Sequence, residues 1–319
     1  MPPYLLLMAK SFPQFLGLAV ALCTGSADAQ TPRAALPTLD SAQLVRDLFV
    51  LAADSMEGRR IGTTGGARAR AYLGARLRQI GVAPLNDSLS VPFKTAGRGG
   101  AELTGTNLVG VIRGTRDPGQ FIVLSAHYDH VGMRNNQLFP GADDNASGTS
   151  AVLAIATWLK AHPPTHSVII ALFDGEESGL LGAKAFVASP PVPLDQIVAN
   201  VNLDMVGRNE KGELYVAGGT PNPALRALIA ATVAVASVKL KPGHDSGGGH
   251  EDWTGQSDQG AFQAKGIPWV YFGVEDHPDY HKPTDFPNRI EPSFFYRSAS
   301  TVAEFVRQLD AAPPDRRRK

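Results

Sequence analysis

The chain has 319 residues, 43% of them hydrophobic and 19% charged. That is the composition of an ordinary folded protein, and it excludes a disordered, fibrous or membrane-spanning chain. Lysine and arginine number 30, as do aspartate and glutamate, for a formal net charge of +0. No overall field therefore draws the protein to nucleic acid or to an anionic membrane.

At the N-terminus, Lys10 precedes an apolar run over residues 15–22, followed by the small-residue site Ala27-Asp28-Ala29 and Gln30. This order is that of an export signal, residues 1–29, removed after Ala29. The run is too short to anchor the chain in a bilayer. The expected location is periplasmic or secreted, with no stable membrane association. Cys23, the only cysteine, lies inside this segment; bulky Leu22 before it argues against lipid attachment. The mature chain then has no disulfide and no thiolate, so any metal must be held by His, Asp and Glu.

Residues 30–40 are rich in Pro, Thr and Ala and read as a linker. A helical pattern runs from residue 41 to 81, strongest over 67–80, with Gly81 as a stop. Residues 107–112 and 121–126 read as strands, 147–161 as a helix ended by Pro163-Pro164, and 167–173 as a β-branched strand. Residues 180–188 read as a helix and 197–203 as a strand. Residues 223–235 are helical, 269–272 a short strand, and 292–309 an amphipathic helix. The basic tail 313–319 reads as solvated. The alternation predicts one domain over 41–312, a three-layer α/β/α sandwich with a mixed, mostly parallel central sheet. Ligands of such sheets bind beyond the carboxyl ends of the strands. Three of the predicted strands end there in acidic or imidazole clusters: His127 and Asp129, then Asp174, Glu176 and Glu177, then Asp204.

In Ser125-Ala126-His127-Tyr128-Asp129-His130, His127 and Asp129 share one face of an extended segment. A carboxylate beside a ligand histidine fixes its tautomer, so His127 is the candidate ligand and Asp129 its orienting partner. Gly141-Ala142-Asp143-Asp144-Asn145-Ala146-Ser147-Gly148 has the residues of a turn and helix cap. It also offers Asp144 as a carboxylate between two cations. In Asp174-Gly175-Glu176-Glu177, one glutamate can bind metal while the other takes a proton from water. Asp204 adds an oxygen ligand and His281, in a Pro-rich loop, an imidazole. A set of only nitrogen and oxygen donors suits zinc, and less specifically cobalt or manganese. One bridging and four terminal ligands leave open positions, the mark of a catalytic centre. The chain lacks H-E-x-x-H, G-x-S-x-G and the G-x-x-x-x-G-K phosphate loop.

The ordered series S-A-H-Y-D-H, G-A-D-D-N-A-S-G, D-G-E-E-S-G-L-L-G, N-L-D-M-V-G and D-Y-H-K-P-T-D resembles the M28 family of zinc aminopeptidases. Met56-Glu57-Gly58-Arg59 resembles the start of its bacterial members. The resemblance runs from about residue 48 to the last helix and implies two zinc ions. His127 and Asp204 would hold one, Glu177 and His281 the other, with Asp144 bridging and its bond to Asn145 cis. It implies Glu176 as general base and Tyr280 as an oxyanion donor. The implied reaction is hydrolysis of N-terminal peptide bonds by zinc-activated water, on a peptide with a free N-terminus, by a monomer. A carboxypeptidase or dipeptidase, and a glutaminyl cyclase, are the alternatives on the same scaffold. A non-catalytic binding protein is disfavoured by the intact Glu176-Glu177 pair. Gln259 stands where many bacterial relatives have His, which is expected to alter substrate-side contacts. No insert corresponds to a protease-associated domain.

Overall fold

The computed structural model describes residues 36–96, 102–247 and 251–312, with Met1 and Pro3 besides. The predicted export signal beyond those two residues, most of the linker and the basic tail lie outside the described residues. Residues 36–40 form neither helix nor strand, yet Leu39 is buried and Asp40 caps the first helix through Gln43 N at 2.9 Å.

The elements are α1 (Ser41–Leu51), α2 (Thr64–Ile80), β1 (Ala83–Pro84), β2 (Ser90–Ala96), β3 (Glu102–Ile112), β4 (Asp117–His127), β5 (Gly132–Arg134) and β6 (Gln137–Phe139). They continue as α3 (Gly148–Ala161), β7 (His166–Phe173), α4 (Leu181–Ala188), β8 (Ile197–Asp204), β9 (Glu213–Ala217), α5 (Pro223–Val235), β10 (Lys239–Pro242), α6 (Gln259–Gln263), β11 (Trp269–Gly273) and α7 (Pro292–Ala311). The long helical pattern over 41–81 is two helices, parted by a 3-10 turn at Asp54–Arg59. Gly81, at φ 84°, caps α2 in the left-handed conformation, the usual way glycine ends a helix.

The main sheet runs β1-β3-β7-β4-β8-β11-β9-β10, with β2 also paired to β3. Its central strands β7, β4, β8 and β11 are parallel, as are β9 and β10. The pairings of β3 with β1, β2 and β7, and of β9 with β11, are antiparallel. The fold is the expected α/β sandwich with a mixed sheet. Every residue of β7 is buried, as expected of a central strand covered on both faces. Alternation along the strands splits the core in two. Ile122, Leu124 and Ala126 of β4 pack on the side of α1, α2, α3, α5 and α7. Phe121 and Val123 pack with Phe173, Ala183, Phe186 and Phe262 on the side of α4 and α6. Phe173, Phe186 and Phe262 meet with ring centroids 5.6–6.3 Å apart, the spacing aromatic pairs favour. The parallel centre aligns the ends of β7, β4 and β8 side by side: His127 is opposite Phe173, and Ser125 opposite Asn202.

Candidate metal centre

His127 ends β4, Asp204 ends β8, and Glu176 and Glu177 follow β7 on a 3-10 turn. Asp144 reaches the same place from the turn Ala142–Ser147 that opens α3. That turn explains its bracketing glycines. A Cβ at Gly141, at φ 57°, would lie 2.1 Å from Asp144 O; one at Gly148 would lie 2.3 Å from Asn145 Oδ1. Inside the turn the Asp144–Asn145 bond is cis, as the resemblance implies. Asn145 Nδ2 donates to Leu203 O, and its Oδ1 accepts from Gly148 N and Met205 N. The turn is thereby tied to β8 beside Asp204.

The carboxylate of Asp144 faces two groups at once. Its Oδ1 lies 3.5 Å from His127 Nε2, which is 3.2 Å from Asp204 Oδ1. Its Oδ2 lies 3.1 Å from His281 Nε2, which is 3.0 Å from Glu177 Oε2. His127, Asp144 and Asp204 each offer an atom within 4.8 Å of the others, and so do His130, Asp144 and Glu177. The first set is buried, while His281 is 41% exposed at its side chain. Glu176 Oε2 lies 4.0 Å from His127 Nε2.

These groups are costly neighbours without a cation. Burial raises Glu176 well above the ordinary carboxyl range, His127 opposes it, and the charges of Asp204, Asp258 and Glu177 add to the rise. Burial and Glu177 likewise raise Asp144. Burial disfavours charge on His127, yet Asp204 and Glu176 hold it well above 6.5. His281, also pulled down by burial, is pushed up to about 10 by Asp144 and Glu177. Glu177 is held far down by His130 and His281 against its own burial. The set fits a pair of divalent cations: nitrogen and oxygen donors only, one carboxylate shared between two groups, and buried atoms left over. His130 Nδ1 comes within 2.7 Å of Glu177 Oε1, but neither atom has hydrogen-bond alignment with any partner.

All eight residues singled out in the sequence as ligands or catalytic groups lie in or beside this cluster, one with a change in detail, and Gln259 departs from its expected place. Asp129 orients His127 chiefly through its main chain: His127 Nδ1 is 3.2 Å from Asp129 O and 3.8 Å from the carboxylate. The carboxylate Oδ1 accepts from Glu176 N at 2.9 Å, joining the His127 strand end to the Glu176 turn. Gln259 does not face the cleft. It is buried, accepts from Asn202 Nδ2 at 3.0 Å and donates to Trp253 O at 2.7 Å. Tyr280 stacks on His281 with centroids 4.0 Å apart. Burial first, then Asp144 and Asp204, raise its phenol and keep it a neutral donor.

Three residues here had no role assigned from sequence. His130, fully buried, touches Glu177 and Asp144; it stands in the quoted S-A-H-Y-D-H motif. Asp285, last of D-Y-H-K-P-T-D, accepts the N–H groups of Asp143 and Asp144. Arg59, of Met56-Glu57-Gly58-Arg59, is fully buried and donates to Tyr128 O, Leu51 O, Pro140 O and Gly141 O at 2.7–2.8 Å. One guanidinium fork thus ties the His127 loop to the Asp144 turn.

Peptidase family M28 matches residues 107–306, and the chain belongs to that family. A probable zinc metalloprotease of the fungus Pyrenophora tritici-repentis is 34% identical over 124 residues, 37% of this chain and 27% of that protein. Aminopeptidase YwaD of Bacillus subtilis is 32% identical over 218 residues, 64% of this chain and 44% of that protein. The chain thus spans less than half the length of these relatives. Among solved structures, BSAP, a zinc aminopeptidase from Bacillus subtilis, superposes with a TM-score of 0.71 at 18% identity, covering 85% of this chain and 96% of that one. Porphyromonas gingivalis glutaminyl cyclase gives 0.71 at 20% identity, covering 86% and 99%. These likenesses concern the fold.

Proposed function

We propose that the protein is an exported zinc aminopeptidase holding two metal ions and acting on peptides with a free N-terminus. The observation that carries this reading is Asp144, whose two oxygens face two separate ligand groups with Glu176 beside them. His127, Asp144 and Asp204 would hold one ion, and Glu177, Asp144 and His281 the other. Zinc at such a site supplies Lewis-acid polarisation of the scissile carbonyl and lowers the pKa of water toward ~7.

The chain's own residues do the rest. Glu176, its proton affinity raised by burial, takes a proton from the attacking water at its carboxylate and returns it to the leaving amine. Tyr280 donates a hydrogen bond from its hydroxyl to the oxygen that gains charge, a type of contact worth about 3–4 kcal/mol. Asp129 keeps the Glu176 turn in register with His127. A cavity of about 490 Å³ opens from Glu176 and Asp204, walled by Leu180, Met205, Trp253, Tyr271 and Val274, a place for the N-terminal side chain. Export rests on the order of charge, apolar run and small residues over 1–29. In addition, no described helix is long and apolar enough to cross a membrane.

The test is a panel of aminoacyl amides and an N-terminal glutaminyl peptide, run on metal-free and zinc-restored protein. The reading expects hydrolysis of amides restored by zinc. Cyclisation of the glutaminyl peptide without amide hydrolysis would favour the cyclase instead.

A further inference from the structure

A second cavity, about 600 Å³, adjoins the first, and the two share Glu177 and Ser178. Asp129 and His130 line it from the metal side, Arg60 and Arg134 from the outside. Both arginines are exposed, and neither has a carboxylate partner among the described residues. Of the other acids on the wall, Glu102 is taken by Lys94 at 2.9 Å, while Asp129 and Glu177 belong to the metal cluster. The two cations are also held in place. Arg134 lies over the Phe139 ring, 5.7 Å from its centroid. Arg60 follows the buried Arg59 anchor directly, and its stem packs on Gly132, two residues before Arg134. Each of these exposed guanidiniums presents a fork that fits a carboxylate, and both stand on the wall of this one cavity.

A cavity of this volume suits a ligand of drug size, which is two or three amino-acid residues at no more than ~3.6 Å each along an extended chain. We propose that this cavity receives the leaving part of the substrate and that Arg60 and Arg134 bind its C-terminal carboxylate. The preferred substrates are then peptides of three or four residues with a free carboxyl end. This rests on the peptidase reading above and adds a specificity for the far end of the substrate.

The experiment compares kcat/KM for a tripeptide acid and the matching tripeptide amide on the zinc-loaded protein, for wild type, R60Q/R134Q and R60K/R134K. A charge-assisted bond is worth ~1.5–3 kcal/mol, so wild type favours the acid about tenfold or more, mainly through KM. R60Q/R134Q brings the ratio close to one, and R60K/R134K, which keeps the charge and loses the fork, retains only part of it. The ratio is internal to each protein, so a general loss of activity in a variant does not enter. The acid preference also shrinks with added salt. Equal rates for acid and amide in wild type, or a preference unchanged in R60Q/R134Q, overturn the inference alone. Failure of zinc-loaded wild type to cleave either peptide overturns the peptidase reading and this inference with it.

Discussion

Glu176 and Glu177 are adjacent in the chain yet shifted in opposite directions. Glu177 sits between His130 and His281, which lower it against its burial; Glu176 is raised by burial and by the charge of Asp204, against His127, which makes it the more basic of the two. Glu176→Gln removes the proton acceptor without touching a proposed ligand. Turnover should fall by about 10²–10⁴ while zinc content, read by elemental analysis, stays at the wild-type level; near-normal turnover would remove Glu176 as the base. The two imidazoles give a second prediction. Asp204 and Glu176 raise His127, and Asp144 and Glu177 push His281 up to about 10, so protons on these imidazoles compete with zinc in the metal-free protein. Zinc uptake must displace them, so apparent affinity rises with pH across 6–9 and protons are released. Chelator competition at several pH values would read this, and a flat profile would contradict it. Arg59 acts through structure: Arg59→Met strands the buried carbonyls of Leu51, Tyr128 and Pro140, while Gly141 O keeps Ala146 N, and should cost about 3 kcal/mol or more, measured by urea unfolding. Lysine cannot supply the same fork, so Arg59→Lys should recover little.

At the scale of elements, what periodicity made legible is the buried, regular part. The predicted strands at 107–112, 121–126, 167–173 and 197–203 lie inside β3, β4, β7 and β8, and the helix over 223–235 matches α5. Strands β2 and β10 escaped because they hold Pro92 and Pro242 and lie exposed at sheet margins, where burial imposes no pattern. The short β1, β5, β6 and β9 are held by their partners more than by their own sequence. One tie outside the centre has a pH signature. Asp310 near the end of α7 accepts the N–H groups of Thr165 and His166 and lies 3.1 Å from the His166 ring, at the start of β7. The hydrogen bond to Asp310 raises His166, and Asp310 is lowered by that bond against burial. A raised histidine contributes fully below its unfolded value near 6.5, and the contribution fades as pH climbs through the folded value. A lowered carboxylate contributes above its unfolded value near 3.8 and is lost as pH falls. The tie is therefore strongest between about pH 4 and 6.5. Asp310→Ala should cost ~1–3 kcal/mol at pH 6 and less at pH 9, by denaturant unfolding at the two pH values. An equal cost at both would remove the charge from the account.

For the whole molecule, the centre is where three neighbouring parallel strands stop together, as open α/β sheets dispose their sites. That much was legible, because His127, Glu176 with Glu177, and Asp204 each follow an apolar run. The supports were not. His130 meets Glu177 across 47 positions and Arg59 meets Gly141 across 82, distances over which local pattern carries no signal. Asp129 lies beside His127 as expected, with its main-chain O at 3.2 Å and its carboxylate at 3.8 Å from Nδ1; that the same carboxylate also holds the Glu176 turn has no signal in the sequence. The most direct test of the central claim is a zinc count, by elemental analysis, of wild type and Asp144→Ala after reconstitution and dialysis. The account predicts two ions per chain in wild type and at most one in the variant. Zinc content that is the same in both proteins, or absent from wild type, would contradict it.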